Sequence, residues 1–373
     1  MGKRLHITEI NEIDQFFGLR DKWNEVLERS KDGHVLLTWE FMSTYVKHFG
    51  KERKLKVLYI EDKNRIIAIA PLRLSRYNFA GSFGYNVIEP LAFRHADYTG
   101  FILAEREVDC LKLFLNYLFE QDDWDFIYLY DIPGTSIISE LLPKISTDIP
   151  STFEFTKGVV CPYMVLPESM DVLMNKLSKN FRYNLRRYMK KLEKDYQRVE
   201  LKRYDELGSV EEAMQIFIHL HQKRWNLKGM PGVYDTQKRR NFGLEAAKVL
   251  ADKGWLVLYF LTVNDQPIAG LYCLEYNHKM YGGLSGFDPN YTQYSVGNLI
   301  IAKVIEKCIE KRIKEFDFMK GAEPYKFNWT TNYRRNFNVR FVNKNPTSNI
   351  YNLGIKAIKQ MGMDKIFGKF LEF

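Results

Sequence analysis

Tyr281–Trp329, YGGLSGFDPNYTQYSVGNLIIAKVIEKCIEKRIKEFDFMKGAEPYKFNW, reads as a strand, a turn, a helix and a second strand. The first strand closes on Gly286-Phe287-Asp288, and Asp288-Pro289-Asn290-Tyr291 makes the turn. The helix opens on small residues, Ser295-Val296-Gly297-Asn298-Leu299. Gly lets a ligand approach the backbone, and the unpaired N–H groups of a first helical turn favour phosphate oxygens. The second strand, Glu315–Gly321, runs into a loop carrying Glu323, Tyr325 and Lys326. Such a unit can seat a pyrophosphate beside a cleft between two parallel strands.

The chain has 373 residues, more than one ordinary core organises, so two domains are expected. Hydrophobic residues make up 46% and aromatics 15%, which excludes disorder. A net charge of +9 calls for an anionic partner: CoA, a nucleotide-sugar, nucleic acid or a membrane surface. Cys110, Cys161, Cys273 and Cys308 are scattered without a C-x-x-C pair, so neither a disulfide framework nor a zinc site is expected, and no metal is. The N-terminus lacks an apolar signal core, and no stretch approaches the roughly 20 apolar residues of a membrane span; a cytoplasmic protein is expected.

The same supersecondary unit occurs twice. Lys56–Leu74 alternates, breaks at Asp62-Lys63-Asn64 and alternates again, and Trp255–Glu275 repeats this with Asn264-Asp265 at the turn. Ile67-Ala68 matches Ile268-Ala269. Each hairpin precedes a helix and a strand: Val108–Phe119 and Asp125–Tyr130, then Gly297–Lys311 and Glu315–Met319. The expected organisation is an α/β (α+β) protein of two domains, 1–160 and 161–345, each a mixed sheet flanked by helices, with an amphipathic tail at 346–373. In that tail Ile350, Leu353, Ile358, Met361, Ile366 and Phe370 alternate with lysines; it docks on the domain or meets a membrane surface.

Between the halves, Pro167-Glu168-Ser169 opens a helix with an apolar stripe at Met174, Leu177, Phe181, Leu185, Tyr188 and Leu192. Its other faces carry Lys179, Arg182, Arg186, Arg187, Lys190, Lys191 and Lys194, making 178–195 a basic linking helix. That face is a solvated surface, a platform for an anionic substrate, or a nucleic-acid contact. Arg224-Trp225, at the end of another helix, could clamp a carboxylate or phosphate, or join core to surface. Asp317 either turns toward the cleft or pairs with a nearby cation. Tyr325 either serves as an acid or packs; Lys326 either neutralises substrate charge or is solvated. No nucleophilic constellation or metal-ligand spacing occurs; His219 and His221 face different sides of a helix.

Leu177-Ser-Lys-Asn-Phe-Arg-Tyr-Asn-Leu-Arg-Arg187, Arg224-Trp225, Gln266–Ala269, Gly286–Asp288, Ser295–Gly297, Asp317, Gly321 and Tyr325-Lys326 occur in this order. Trp39-Glu40 and Trp124-Asp125 precede them. Together they resemble the FemAB-like branch of the GNAT acyltransferase superfamily, and more narrowly its CelD-type (cellulose or exopolysaccharide biosynthesis) acetyltransferases. The resemblance implies two tandem GNAT-like domains with the donor site in the second. It implies acetyl-CoA or another acyl-CoA as donor and a sugar, nucleotide-sugar or related envelope precursor as acceptor. Leu284, Ser285, Gly286, Ser295, Val296, Gly297, Asn298 and Leu299 would hold the donor. Arg187, Arg224, Trp225, Asp288 and Glu323 would face the acceptor, and Tyr325, Lys326, Asp317 and Glu275 would carry the chemistry. The chain departs from ordinary GNAT enzymes in keeping only Gly297 of the Q/R-x-x-G-x-G/A loop. Two alternatives therefore stand beside acyl-CoA transfer: an aminoacyl-tRNA-dependent peptidyltransferase, although no coiled-coil insertion for tRNA is evident, and a non-catalytic regulatory or nucleic-acid-binding protein.

Overall fold

A computed structural model describes residues 5–79, 83–145, 152–345 and 348–354. The chain forms two compact units, Met1–Val159 with Arg335–Phe373, and Val160–Arg334.

The first unit contains, in chain order, β1 (His6–Ile10), α1 (Ile13–Phe17), α2 (Arg20–Arg29), α3 (Trp39–Phe49), β2 (Lys54–Leu55), β3 (Val57–Asp62), β4 (Arg65–Ala70), β5 (Leu72–Phe79), β6 (Phe83–Pro90), β7 (Ile102–Leu103), α4 (Glu107–Phe119), β8 (Phe126–Pro133) and α5 (Ile137–Ile145). The chain leaves this unit within β9 (Thr152–Val165). Its strands form a sheet of order β1-β3-β4-β7 and a run β8-β6-β5-β2 in which only β6 and β8 are parallel. Phe114, Leu111, Leu115 and Leu118 of α4 pack with Trp124, Ile127 and Leu129 in its core.

The second unit contains α6 (Met170–Lys176), α7 (Lys179–Asp195), β10 (Val199–Arg203), α8 (Val210–Leu227), α9 (Gln237–Asp252), β11 (Leu256–Val263), β12 (Gln266–Tyr276), β13 (Lys279–Phe287), α10 (Val296–Glu310), β14 (Glu315–Asp317) and α11 (Pro324–Phe327). Its strands run β10-β11-β12-β13-β14-β9. Every residue of β11 is buried, as a strand covered on both faces requires. Val257, Tyr259, Leu261 and Val263 join Leu185 and Leu192 of α7 and Val304 and Ile305 of α10. On the other face Phe260 meets Phe217 of α8 across Gly270.

Both duplicated hairpins form. β3 and β4 turn through Lys63-Asn64, and β11 and β12 through Asn264-Asp265, with φ positive at all four positions (52°, 64°, 47°, 66°). Two such residues in a row suit a tight turn between twisted strands. The register shifts at Ile60/Glu61 in one and Leu261/Thr262 in the other, just beyond the pairs Ile60↔Ala68 and Leu261↔Ala269. The extra residue of the bulge is thus Ile67 in one hairpin and Ile268 in the other, the positions matched in sequence.

Two readings are corrected. The apolar stripe 174–192 lies on two helices, because Ser178 breaks it: its side chain accepts from the Phe181 N–H at 3.2 Å and caps α7. Residues 335–345 cluster with the first unit, since β15 (Tyr333–Val342) pairs antiparallel with β8 from Asn336↔Pro133 to Val342↔Phe126. Of the tail, Ile350 and Leu353 are exposed on a short helix; Ile358, Met361, Ile366 and Phe370 lie outside the described residues. Among the described residues no helix is long and apolar enough to cross a membrane.

Candidate donor site

β13 and β14 are parallel for three pairs only, Lys279↔Glu315 to Tyr281↔Asp317. Beyond Tyr281, β13 continues beside β12 alone, with a bulge around Gly283. Its far end, Ser285-Gly286-Phe287, passes against α8. A Cβ on Gly286 would lie 2.4 Å from the His221 N and 2.7 Å from the Leu220 carbonyl carbon, so glycine is required for that approach.

α8 in turn grips the strand. His221 is buried, and its Nδ1 lies 3.1 Å from the Ser285 carbonyl while its Nε2 accepts from the Val233 N–H at 3.3 Å. Those partners assign the proton to Nδ1 and keep the ring neutral. Burial pulls its pKa down to about 4; the Ser285 bond opposes this and the Arg224 charge adds to it. One turn on, Arg224 Nη1 donates to the Ser285 carbonyl at 3.1 Å and to Ser285 Oγ at 2.5 Å. Arg224 Nε is buried with no hydrogen-bond partner among the described residues. Burial lowers the pKa of the guanidinium, against the influence of Tyr325 and Glu323.

Past β13, Asp288 caps the following turn by accepting from the Asn290 N–H at 3.0 Å and pairs with Lys223 Nζ at 2.7 Å. Burial would raise the Asp288 carboxyl, but Lys223 and the Asn290 N–H outweigh it and hold its pKa below the usual range. Ser295 then adopts a left-handed conformation, φ 52°, and enters α10 without a side-chain cap. The Ser295 carbonyl accepts from Asn298 N and Leu299 N at 2.9 and 3.2 Å. Val296 and Gly297, at N1 and N2, are among the first-turn N–H groups that an α-helix leaves without an intrahelical partner.

A cavity of about 220 Å³ opens at this helix start, lined by Arg224, Ser285, Phe287, Thr292, Ser295, Val296, Gly297, Asn298, Ile301 and Tyr325. A Cβ on Gly297 would meet only Phe287, at 3.7 Å, so the helix start presents backbone with room in front of it. Asn298 Oδ1 is a second buried polar atom without a partner among the described residues. Tyr325 closes the cavity from α11. Burial and then the Glu323 charge push its phenol up to about 12, opposed by Arg224, so the group is protonated at neutral pH.

The structure therefore brings together Arg224, Ser285, Ser295, Val296, Gly297, Asn298 and Tyr325. It places the other sequence-derived candidates elsewhere. Lys326 is buried, and its Nζ donates to the carbonyls of Met319 (3.4 Å), Lys320 (2.7 Å) and Gly321 (3.4 Å) and pairs with Glu323 at 2.9 Å; it pins the loop that carries Tyr325. Asp317 is buried, accepts from the Met319 N–H at 2.8 Å and faces Arg334 Nη1 at 3.5 Å, which makes it a strand-end anchor. Glu275 pairs with Lys311 at 3.5 Å and stands opposite Met280, five residues and about 17 Å along the strand from Ser285. Leu299 belongs to the core, and Gly286 serves the approach of α8. Leu284, paired with Tyr272, does not line the cavity. Trp225 stacks near Lys228 and His221, and Arg187 lies exposed over Tyr183 and Tyr188 on α7. Thr292, Phe287 and Ile301 complete the lining; Phe287 falls within the Gly286–Asp288 motif, while Thr292 and Ile301, a turn threonine and an ordinary apolar residue, gave no sequence signal.

Residues 179–327 match the model of the acetyltransferase (GNAT) domain family. Among curated proteins none matches the chain in sequence. Among solved structures, FemX superposes with a TM-score of 0.64 at 11% identity, covering 93% of this chain and 99% of FemX. A conserved protein of unknown function from Bacteroides thetaiotaomicron gives 0.55 at 12%, covering 91% and 100%, and L-PGS from Bacillus licheniformis gives 0.53 at 10%, covering 87% and 92%. At these identities the likeness is one of fold. The matched stretch, 179–327, contains every residue that lines the cavity at the start of α10.

Proposed function

We propose that the second unit is an acyltransferase that moves an acyl group, acetyl in the first instance, from acyl-CoA to an amine or hydroxyl of a sugar, nucleotide-sugar or related envelope or polysaccharide precursor. The observation that carries this reading is the uncapped start of α10, which faces a cavity closed by Arg224 and Tyr325 where β13 parts from β14. The N–H groups of Val296 and Gly297 would take the donor's phosphate oxygens. The acceptor attacks the thioester carbonyl directly, forming a C–N or C–O bond as the C–S bond breaks. Arg224 offsets negative charge developing beside Ser285, and Tyr325 gives its phenolic proton to the departing thiolate. Asp317 and Glu275 are committed elsewhere, so water takes the acceptor's proton. A thiol pKa of about 8.5 makes the acid helpful without being compulsory.

Calorimetric titration with acetyl-CoA tests this directly. Saturable binding in wild type that disappears in Gly297→Trp supports it, because the indole would fill the space before the helix start; absence of binding in wild type overturns it. A second reading, aminoacyl-tRNA-dependent transfer, draws on the exposed basic side of α7, where Arg186, Arg187, Lys190, Lys191 and Lys194 all face solvent. Filter binding of charged tRNA would then fall steeply with salt and weaken when these residues are neutralised.

A further inference from the structure

Leu227, Met230 and Val233 are 63%, 51% and 44% exposed, three large apolar side chains within seven residues. Leu227 ends α8, and Met230 and Val233 sit on the connection from α8 to α9, which is pinned in place. Met230 N donates to the Trp225 carbonyl at 3.0 Å, Val233 N to His221 Nε2 at 3.3 Å, and Gln222 Nε2 donates to the Pro231 carbonyl at 2.8 Å. Tyr234 anchors the loop in the core at 4% exposure, and Gly229 and Gly232 supply the positive φ angles of 66° and 72° that turn it outward. A loop held this firmly could have buried its apolar residues; this one presents them to solvent.

The surroundings are cationic. Residues 223–240 contain six Lys and Arg against a single acidic residue, Asp235. Lys223 and Arg239 are partly neutralised by Asp288 and Asp235, which leaves Lys228 and Arg240 nearest the loop without an acidic partner among the described ion pairs. Beside the loop, α8 and α9 flank a groove of about 400 Å³ lined by Gln215, His219, Gln222, Gln237 and Arg240 together with Ile218 and Leu244, a mixed lining that offers a phosphate-bearing headgroup hydrogen-bonding groups beside apolar surface. Apolar prongs ringed by basic residues over such a groove match an interface that is apolar inside and anionic at its surface.

We infer that the 227–233 loop is a membrane-surface contact for bilayers rich in anionic phospholipid: Leu227, Met230 and Val233 enter the acyl region while Lys228 and Arg240 meet the headgroups. The contact places the open side of the α8–α9 groove at the lipid surface. None of Leu227, Met230 and Val233 lines the donor cavity.

The test is co-sedimentation of the full chain with extruded vesicles of phosphatidylcholine alone or with phosphatidylglycerol at about one third. Wild type binds the anionic vesicles and not the neutral ones. Leu227→Ser/Met230→Ser/Val233→Ser, whose changes are all at exposed positions and whose fold is checked by circular dichroism, binds at least about tenfold more weakly. Lys228→Glu weakens binding by about fivefold or more, and less at high salt. Equal binding by the triple variant would assign any membrane affinity to another surface and overturn the proposal. So would failure of wild type to bind anionic vesicles, or a concentration-dependent self-association of wild type that the triple variant abolishes.

Discussion

Replacing Gly286 by alanine probes how α8 and β13 build the cavity together. The added methyl would lie 2.4 Å from the His221 N, 2.7 Å from its Cα and 2.7 Å from the Leu220 carbonyl carbon. All three are backbone atoms, so no side chain can swing aside, and α8 must retreat by about 1 Å to reach ordinary contact. The His221 and Arg224 bonds to the Ser285 carbonyl, each 3.1 Å, would then pass out of hydrogen-bonding range. Overpacking contributes about 1–2 kcal/mol and the two lost bonds about 1–2 kcal/mol more, near 3 kcal/mol together. For a unit of this size that is a fall in Tm of about 6–12 °C. Differential scanning calorimetry measures it, with Gly297→Ala as control: there the methyl meets only Phe287 at 3.7 Å, and a change within about 0.5 kcal/mol is expected. Arg224 should also lose its place at the cavity, so donor binding falls with stability in Gly286→Ala. A Gly286→Ala protein that melts within about 2 °C of wild type would refute the close approach of helix and strand.

Three further outcomes follow from the same geometry. His221 has a folded pKa of about 4 against an ordinary 6.5, so its contribution is fully present above pH 6.5 and is lost as pH falls toward 4. Chemical denaturation should show about 2 kcal/mol lost between pH 6.5 and 5 in wild type and a flatter profile in His221→Gln; parallel profiles would contradict the buried neutral imidazole. Tyr325→Phe should lower kcat for thiol release from acyl-CoA about tenfold to a hundredfold with KM little changed, whereas an unchanged kcat would remove the phenol from the chemistry. Lys326→Met should leave the Lys320 carbonyl without its 2.7 Å donor and cost about 1–3 kcal/mol; a variant as stable as wild type but inactive would return Lys326 to a direct role in transfer.

The sequence made the local elements legible because their signals are local. Asn264-Asp265 and Lys63-Asn64 mark two tight turns, and the apolar steps from Val296 to Cys308 mark α10. Ser295, Val296, Gly297 and Asn298 could be singled out because a strand precedes them and another follows. What sequence could not supply was the neighbour across a non-local contact. Nothing in Tyr333–Val342 says that it pairs with β8, and nothing in Gly286 distinguishes a glycine facing a ligand from one facing a helix. Lys326 illustrates the same limit: a lysine next to a tyrosine invites a role in charge stabilisation, but three carbonyls of its own loop already take its ammonium. Glu275 was near in composition and far in register, at the wrong end of β12.

The central claim is that the first turn of α10 holds the donor's phosphates, and amide hydrogen exchange reads those N–H groups themselves. With saturating acetyl-CoA, peptides spanning Ser295–Leu299 should gain strong protection, with a smaller gain at Ser285–Phe287, and Gly297→Trp should abolish both. Protection that appears elsewhere in the chain while Val296 and Gly297 exchange as before would contradict the assignment of the donor site.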